Sequence, residues 1–179
     1  MNIKFKDICP AGNRLHMNKA YLLTGGNLGD RERNLRQAIK QISLSAGTLL
    51  KESALYETAA WGLENQPRFL NQALVFETTL PPERLLVELL EIEQQIGRVR
   101  KEKYGPRLID IDILLYDDLI VSSPSLKLPH PELANRRFAL TPLAEIAGNL
   151  IHPVSGKSIS QLLEECADPL AVRKKDTAP

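Results

Sequence analysis

Residues Ile109 to Tyr116, IDIDILLY, alternate apolar and acidic side chains as far as Asp112 and then continue as an apolar run. Strict alternation is typical of a β-strand with one buried face, because successive side chains point to opposite sides of the strand. The isoleucines should anchor this strand in the core. Asp110 and Asp112 should project together from its other face, with their Cα atoms about 6.6 Å apart.

Two neighbouring carboxylates repel each other unless a cation lies between them. Their hard oxygen atoms suit Mg²⁺ carrying the phosphates of a nucleotide. The alternative is an exposed edge strand on which Asp110 and Asp112 only prevent aggregation, a common use of acidic residues in sheets. The pair alone does not decide between these interpretations.

A basic stretch ends three residues before Asp110. Arg98 to Arg107 holds five basic residues and one acid, and it closes with Gly105-Pro106, so we predict a basic loop. Phosphoryl transfer needs cations that take up charge on the transferring oxygens and a metal that bridges the phosphates. The loop and the aspartates together favour that chemistry, whereas a solvated loop or an RNA contact remains the alternative.

The helix before the loop carries an acidic residue on its apolar side. Pro81-Pro82 should open this helix and Gly97 should end it. At about 100° per residue, Glu93 falls on the arc of the leucines and isoleucines. A carboxylate there needs a partner, either a cleft arginine or a substrate hydroxyl, unless the side chain reaches out to water.

The elements upstream complete a recognisable order. Residues 20–24 predict a strand, Asp30 caps a helix that Gly47 ends, and two strands follow over residues 48–58 and 69–79. The order strand, helix, strand, strand, helix, strand predicts an α+β, ferredoxin-like split βαβ sandwich, in which two helices cover one face of a mainly antiparallel sheet. Helical turns are expected near residues 143–147 and 159–166.

Composition places limits on the function. The chain has 179 residues, 43% of them hydrophobic, and a net charge of +1, which disfavours a dedicated nucleic-acid or membrane-surface binder. Cys9 and Cys166 lie far apart and suggest neither zinc nor a disulfide. With no signal peptide visible, we expect a cytoplasmic protein. We divide it into a flexible extension (1–18), a single domain (19–167) and a polar C-terminal tail (168–179).

Two further features are weaker. The turn at residues 25–30, GGNLGD, lacks the ending of a P-loop and does not fit G-x-G-x-x-G, so we interpret it as a tight turn that shapes one wall of the site. Among the histidines, only His130 lies near other candidate site residues. No arrangement typical of a nucleophilic serine or cysteine is recognisable.

Several motifs, in this order, resemble those of the 6-hydroxymethyl-7,8-dihydropterin pyrophosphokinases of folate biosynthesis. They are GGNLGD at 25–30, YET at 56–58, QP at 66–67 with FLN at 69–71, GRVR at 97–100, YGPR at 104–107 with IDIDI at 109–113, and LPHP at 128–131 with Arg136 and Phe138. The resemblance covers residues 19–151. It implies a ferredoxin-like fold and transfer of the β,γ-pyrophosphoryl group of ATP to the pterin's hydroxymethyl oxygen, releasing AMP.

The resemblance also implies roles for individual residues. Asp110 and Asp112 would hold two Mg²⁺ ions, and Arg98 and Arg107 would stabilise the migrating group. The pterin would stack between aromatic rings while polar groups recognise its edge. The residues implied in ATP binding are Glu93, Arg100, Tyr104, His130 and Arg136, and those implied in pterin binding are Thr58, Trp61, Phe69, Asn71 and Phe138.

The chain departs from the family pattern at four positions: Gly26 replaces a usual Ser, Ala59 and Ala60 replace a stretch containing proline, and Trp61 replaces an aliphatic residue. We expect altered loop mobility and pterin affinity. The protein should work as a monomer or weak dimer on ATP and the pterin, without nucleic acid or membrane. The alternatives are a ferredoxin-like RNA-binding module using loop 98–107, and an inactive homologue, although no metal aspartate or cleft arginine is missing.

Overall fold

The computed structural model describes residues 17–59, 66–98 and 105–176, and all structural statements below refer to them. They form a mixed α/β fold with one main sheet and a small two-stranded ribbon. The strands are β1 (Asn18–Gly26), β2 (Thr48–Glu52), β3 (Tyr56–Thr58), β4 (Phe69–Thr78), β5 (Asp110–Tyr116), β6 (Val121–Ser122), β7 (Lys127–Leu128) and β8 (Val172–Lys174); the helices are α1 (Arg31–Ser45), α2 (Pro82–Ile96), α3 (Arg137–Ala147) and α4 (Ile159–Glu165).

The main sheet is antiparallel at every pairing, with strand order β5-β1-β4-β3-β8, and β2 also pairs with β4. In this register Gly25 lies between Asp110 of β5 and Asn71 of β4. The acidic strand and the strand of the FLN motif are therefore brought to the same end of the sheet. The mainly antiparallel sheet predicted from the element order is confirmed.

Helices cover both faces of the sheet. Helices α1 and α2 pack on one face, where Ile109, Ile111 and Ile113 are almost fully buried. This is the predicted arrangement of two helices and of the isoleucine anchor. The other face is covered by α3 and α4, whose apolar residues include Leu140, Leu143, Ile159 and Leu162. This second layer was not predicted, because its helices are short and divided by prolines.

Local sequence signals explain the helix ends near the site. The Asp30 side chain accepts a hydrogen bond from the Arg33 amide at 3.0 Å and caps α1. Gly97 ends α2 with a φ of 106°, a conformation that favours glycine. The reversal lets the Arg98 amide donate to the Glu93 carbonyl at 2.9 Å. The Arg98 side chain is thereby turned back towards the same helix.

Three sequence predictions need correction. Residues 48–58 form two strands, because the Ser53 hydroxyl accepts from the Ala73 amide at 3.0 Å and interrupts the ladder. Helix α3 begins at Arg137 and contains Pro142, so it is longer than the predicted turn. A left-handed glycine is expected at the end of α1, but Gly47 has a φ of 157° and does not adopt that conformation; a side chain there would collide with the Glu77 carbonyl.

The predicted polar tail also contains regular structure. β8 lies within residues 168–176 and pairs with β3. Its signal is weak because Val172 is its one apolar residue and its partner strand is distant in sequence. In the described part of the chain, no helix combines the length and apolar character that crossing a bilayer requires.

Candidate active site

One cleft of about 320 Å³ gathers every predicted site residue that the structure describes. It opens where β1 ends and where β4 and β5 begin, between Arg98 after α2 and the start of α3. Trp61, Arg100 and Tyr104, together with Ala60, lie outside the described residues. The predicted residues that line the cleft are Thr58, Phe69, Asn71, Glu93, Arg98, Arg107, Asp110, Asp112, His130, Arg136 and Phe138.

A larger groove of about 610 Å³ lies elsewhere, between the sheet and the C-terminal end of α3. It is lined by Lys19, Lys51 and Glu145 among others, and by none of the predicted site residues. We therefore assign the chemistry to the smaller cleft, where charged groups of both signs converge.

Asp110 lies between two arginines. Its carboxylate pairs with Arg98 at 2.6 Å and with Arg107 at 2.5 Å. Both guanidinium groups are largely shielded from water, with side-chain exposures of 12% and 22%. Ion pairs are stronger in such surroundings than on an open surface. The two described ends of the basic loop, Arg98 and Arg107, thus meet the acidic strand in one cleft, as the sequence predicts.

Asp112 has different surroundings. No group of the described residues donates a hydrogen bond to its carboxylate. Burial and the negative charge of Asp110 raise the pKa of Asp112 to about 7, whereas Arg136 and Arg107 act in the opposite direction. A half-buried carboxylate with too little positive charge nearby is a favourable place for a cation.

These two aspartates fit Mg²⁺. The described residues contain no group of three or more His, Cys, Asp or Glu side chains able to hold a metal ion. Mg²⁺ nevertheless binds commonly through one or two carboxylates, with substrate phosphates and water completing its shell. Asp110 and Asp112 lie on one face of β5 and both line the cleft, and their hard oxygen atoms match that requirement.

Glu93 is the buried partner of Arg98. It is 2% exposed; its Oε1 accepts from the Ile111 amide at 2.7 Å, and its Oε2 pairs with Arg98. Burial and the charge of Asp110 raise the pKa of Glu93, opposed by Arg98 and the Ile111 amide. Of the partners considered from the sequence, the cleft arginine is the one observed. Its predicted role in ATP binding stays a prediction.

The glycine-rich turn supports Arg107. The Asn27 and Leu28 amides donate to the Arg107 carbonyl at 2.9 and 3.2 Å, and the Asn27 side chain accepts from the Arg107 amide at 2.8 Å. Because these amides already have an acceptor, the segment serves as a tight turn, and its Gly25 lines the cleft. Asn27 was missed from the sequence, although a polar residue between glycines was a signal; it is 3% exposed.

Close packing of the backbone explains why glycine occupies position 26. A Cβ at this position would overlap the Leu108 carbonyl group, just before the acidic strand. The backbone of the turn and the backbone that leads into β5 are therefore in close contact. The usual Ser of the family pattern does not fit this backbone without a shift.

The opposite half of the cleft carries the predicted pterin residues. The Asn71 amide group donates to the Thr58 hydroxyl at 3.0 Å, and both residues are buried. The Arg107 guanidinium lies 5.7 Å from the centre of the Phe69 ring. On the other wall, the Arg136 guanidinium lies 5.8 Å from the Phe138 ring. Each ring therefore already lies against a flat cation, at cation–π distance.

His130 completes the rim of the cleft. Its Nδ1 accepts from the Glu132 amide at 3.2 Å, which leaves Nε2 to carry the proton of the neutral ring. Burial and the charge of Arg136 lower the pKa of His130, so the neutral ring is favoured. Leu23, Leu86 and Leu90 add an apolar floor that sequence analysis did not assign to the site.

A ferredoxin-like sandwich whose cleft joins paired aspartates, half-buried arginines and two aromatic rings fits the class of enzymes that transfer phosphate groups. Comparison with known proteins narrows this class. Residues 21–148 match the model of the 7,8-dihydro-6-hydroxymethylpterin-pyrophosphokinase family. The chain belongs to this family.

Named relatives agree with the family model. The 2-amino-4-hydroxy-6-hydroxymethyldihydropteridine pyrophosphokinase of Aquifex aeolicus is 42% identical over 83% of this chain and 92% of its own length. The protein of the same name from Methylorubrum extorquens is 40% identical over 88% of this chain and 99% of its own length. The folic acid synthesis protein of Pneumocystis carinii is 41% identical over 87% of this chain. The matched region is 21% of the length of that protein.

Solved structures agree on the fold. A crystal structure of Plasmodium falciparum HPPK-DHPS matches with a TM-score of 0.71 at 17% identity, over 86% of this chain and 46% of that one. This chain thus spans less than half of that protein, and only the fold is compared. Family membership makes the chain a pyrophosphokinase of folate biosynthesis, which moves a pyrophosphoryl group from ATP to hydroxymethyldihydropterin. The RNA-binding alternative is set aside.

Proposed function

We propose that the cleft carries out this transfer as a Mg²⁺-dependent reaction, with Asp110 and Asp112 as the metal ligands and Arg98 and Arg107 as the catalytic arginines. The observation that carries the proposal is the pairing of both arginines with Asp110, beside an Asp112 carboxylate that lacks a donor among the described residues. When bound there, Mg²⁺ would supply positive charge that neutralises phosphate oxygens.

Charge balance supports a metal. Within the described cleft the guanidinium groups of Arg98, Arg107 and Arg136 face the carboxylates of Glu93, Asp110 and Asp112. Such a balanced set does not compensate a triphosphate, which brings several further negative charges. Two Mg²⁺ ions, the number that the family resemblance implies, would supply the missing charge, and the other basic residues of the loop, Arg100, Lys101 and Lys103, would add to it.

The arginines have a consistent role in this scheme. With ATP and a metal bound, Asp110 would hold the cation in place of the guanidinium groups. Arg98, which also pairs with Glu93, and Arg107, which is anchored through Asn27, would then be available to the phosphate oxygens. Charge in the loose transition state of phosphoryl transfer spreads over those oxygens, so fixed cations stabilise it.

The pterin would lie between Phe69 and Phe138. A flat polar heterocycle stacks on aromatic rings, and the Asn71 amide and Thr58 hydroxyl offer hydrogen bonds to its edge. No strong base faces this half of the cleft among the described residues. None is needed, because the hydroxyl can lose its proton late when positioning and charge provide most of the catalysis.

The nucleotide would occupy the half of the cleft near His130 and Arg136. A neutral His130 with a proton on Nε2 can donate to a phosphate or ribose oxygen. Glu93 would act beside the nucleotide through Arg98. Arg100 and Tyr104, expected to bind ATP and to help close the loop, and Trp61, expected near the pterin, belong to the same proposal.

We extend the proposal to the setting of the enzyme. The enzyme would work as a monomer or weak dimer. Residues 19–167 would form the catalytic domain. Cys166 is buried and is the free cysteine of the described chain, which fits a reducing cytoplasm. Gel filtration and cell fractionation test these two points.

Metal binding tests the assignment of the aspartates. Mn²⁺ binding, followed by electron paramagnetic resonance with a saturating non-hydrolysable ATP analogue, should give two ions per chain. Asp110→Asn and Asp112→Asn should each weaken binding by about 10-fold or more, because each removes an anionic ligand. The exposed Asp118 provides the control, Asp118→Asn. Wild-type Mn²⁺ affinity in both variants would contradict the metal site.

A further inference from the structure

The C-terminal segment, residues 166–176, contacts two elements that form walls of the cleft. It lies beyond the residues matched by the family model, which end at 148. The segment passes the first turn of α3, adds β8 to the sheet beside β3, and continues towards α1. Its polar side chains and backbone make specific contacts along this path, and these contacts have no role in the proposed reaction.

Asp168 caps α3 from a distance. Arg136 occupies the N-cap position of this helix, and its side chain makes no capping hydrogen bond. The acceptor comes instead from Asp168, whose Oδ2 accepts from the Arg137 amide at 3.0 Å while its Oδ1 accepts from the Leu170 amide at 3.0 Å. Asp168 is 8% exposed. First-turn amides need such an acceptor, and a carboxylate also complements the helix dipole.

Arg137 holds the same segment in return. Its Nε donates to the Asp168 carbonyl at 2.9 Å, and its Nη2 donates to the Cys166 carbonyl at 2.6 Å. The first turn of α3 and residues 166–168 are thus joined through side chains from both partners. Because Arg136 and Phe138 flank Arg137, this clamp fixes the part of α3 that faces the cleft.

The other end of the segment holds β3. Val172 pairs with Thr58 across the sheet, and the Lys175 amide donates to the Leu55 carbonyl at 2.8 Å. Lys174 also pairs with Glu145 of α3 at 2.9 Å. One short segment therefore connects the strand that ends in Thr58 with the helix that begins beside Phe138.

We propose that residues 166–176 position the pterin-binding walls, with Asp168 as the main positioning residue. The inference rests on the proposed function, since it takes Phe138 and Thr58 as pterin contacts. A stacked heterocycle tolerates little change in the gap between its two rings, because dispersion contacts weaken within a fraction of an ångström. Loss of the Asp168 contacts should therefore weaken pterin binding without removing any group that touches the pterin.

Titration calorimetry with 6-hydroxymethyl-7,8-dihydropterin tests the proposal, in the presence of Mg²⁺ and a saturating non-hydrolysable ATP analogue. Asp168→Ala should raise the pterin Kd by about 10-fold, the scale of a lost helix cap and its charged hydrogen bonds. Asp168→Asn, which keeps an acceptor oxygen, should stay within about 3-fold of wild type. Asp176→Ala removes an exposed acid of the same segment and should change nothing.

Two further variants separate positioning from general stability. Leu162→Ala creates a cavity under α4 in the same apolar layer, so it should lower the Tm while leaving the pterin Kd unchanged well below the Tm. If Asp168→Ala does not fold, Arg137→Gln replaces it, because it removes the guanidinium contacts but keeps the amide donor to Asp168. Arg137→Gln should raise the pterin Kd about 3-fold.

The outcomes distinguish the two levels of the proposal. Phe138→Ala in the same titration tests the pterin wall itself. Phe138→Ala can lose affinity while Asp168→Ala, or Arg137→Gln in its place, binds the pterin like wild type. That result would overturn the positioning role of the segment and leave the pterin wall intact. Wild-type affinity in Phe138→Ala would overturn the pterin wall of the proposed function, and the inference with it.

Discussion

Glu93 links the catalytic charges to the fold. One of its oxygens accepts from the Ile111 amide of β5, and the other pairs with Arg98. The same carboxylate therefore fixes the strand that carries the aspartates and an arginine that faces them. Burying a carboxylate is costly unless its partners are in place, so its position on the apolar side of α2 reflects this network.

Glu93→Gln should separate the two contacts. The amide oxygen can still accept from Ile111, whereas the charge that holds Arg98 is lost. We expect kcat to fall about 10-fold and the pterin KM to stay within about 2-fold, since only groups around the phosphates are disturbed. Steady-state kinetics measure both, with Glu91→Gln on the exposed side of α2 as the control. An unchanged kcat would contradict a role for this pair.

At the scale of single residues, the sequence predicts the charged cluster well. Alternation along IDIDI places the aspartates on one face, and the helical arc identifies Glu93. It does not predict Asn27 or Asp168. Their partners lie 80 and 31 residues away, so only the folded chain brings the donor and acceptor together.

Among the elements, the glycine-rich turn after β1 is the support of Arg107. Asn27 accepts from the Arg107 amide and donates to the Pro67 carbonyl and the Gln66 side chain. It therefore joins Arg107, which lines the cleft, to residues 66 and 67 just before β4. The turn supports Arg107 through the Asn27 side chain as much as through the backbone conformation that its glycines allow.

Asn27→Ala should show this support. We expect the free energy of unfolding to fall by about 1–3 kcal/mol, because the partly buried backbone amide of Arg107 loses its acceptor. The kcat should fall about 10-fold, since the guanidinium of Arg107 is no longer held in position. Urea denaturation and kinetics test both effects. The exposed Asn149, changed to Ala, should alter neither; equal effects in the two variants would refute the assignment.

The loop before α4 should make stability depend on pH. The His152 Nδ1 accepts from the Val154 and Ser155 amides, and burial lowers the pKa of His152 below its usual 6.5. Below pH 6.5, His152 therefore binds a proton in the unfolded chain but stays neutral in the folded chain until the pH approaches its lowered pKa. Stability is complete above this pH and declines as pH falls towards the folded pKa. His130, whose pKa is also lowered, acts in the same direction.

His152→Asn keeps an acceptor oxygen near the Nδ1 position but does not titrate. Urea midpoints at pH 7.5 and pH 5.5 should therefore differ less in this variant than in wild type. The carboxylates are common to both proteins, so the comparison isolates the imidazole. An equal pH dependence in the two proteins would show that His152 does not contribute.

Element boundaries were predictable where local chemistry sets them. Asp30, Pro82 and Gly97 each lie at an end that a cap, a first-turn proline or a left-handed glycine defines. The split between β2 and β3 was not predictable, because a hydrogen bond to the Ser53 hydroxyl causes it. The strand β8 was not predictable either, because its partner strand is distant in sequence. α3 escaped full prediction because Pro142 suggests a break that tertiary packing overrides.

For the whole molecule, the sheet register explains why one end of the fold is the active end. It brings β5 and β4 to either side of β1 at Gly25, so the acids and the pterin residues share one cleft. Helices on both faces then close the core and leave this end open. The order of elements predicted this sandwich, while its second helical layer emerged only from tertiary packing.

The most direct test of the account is the identity of the nucleotide product. The enzyme is incubated with ATP, Mg²⁺ and 6-hydroxymethyl-7,8-dihydropterin, and nucleotides are separated by chromatography, beside Asp112→Asn and its control Asp118→Asn. We predict AMP that depends on pterin and Mg²⁺, is reduced at least about 100-fold in Asp112→Asn, and is unchanged in Asp118→Asn. ADP as the product, or full AMP formation by Asp112→Asn, would contradict the account.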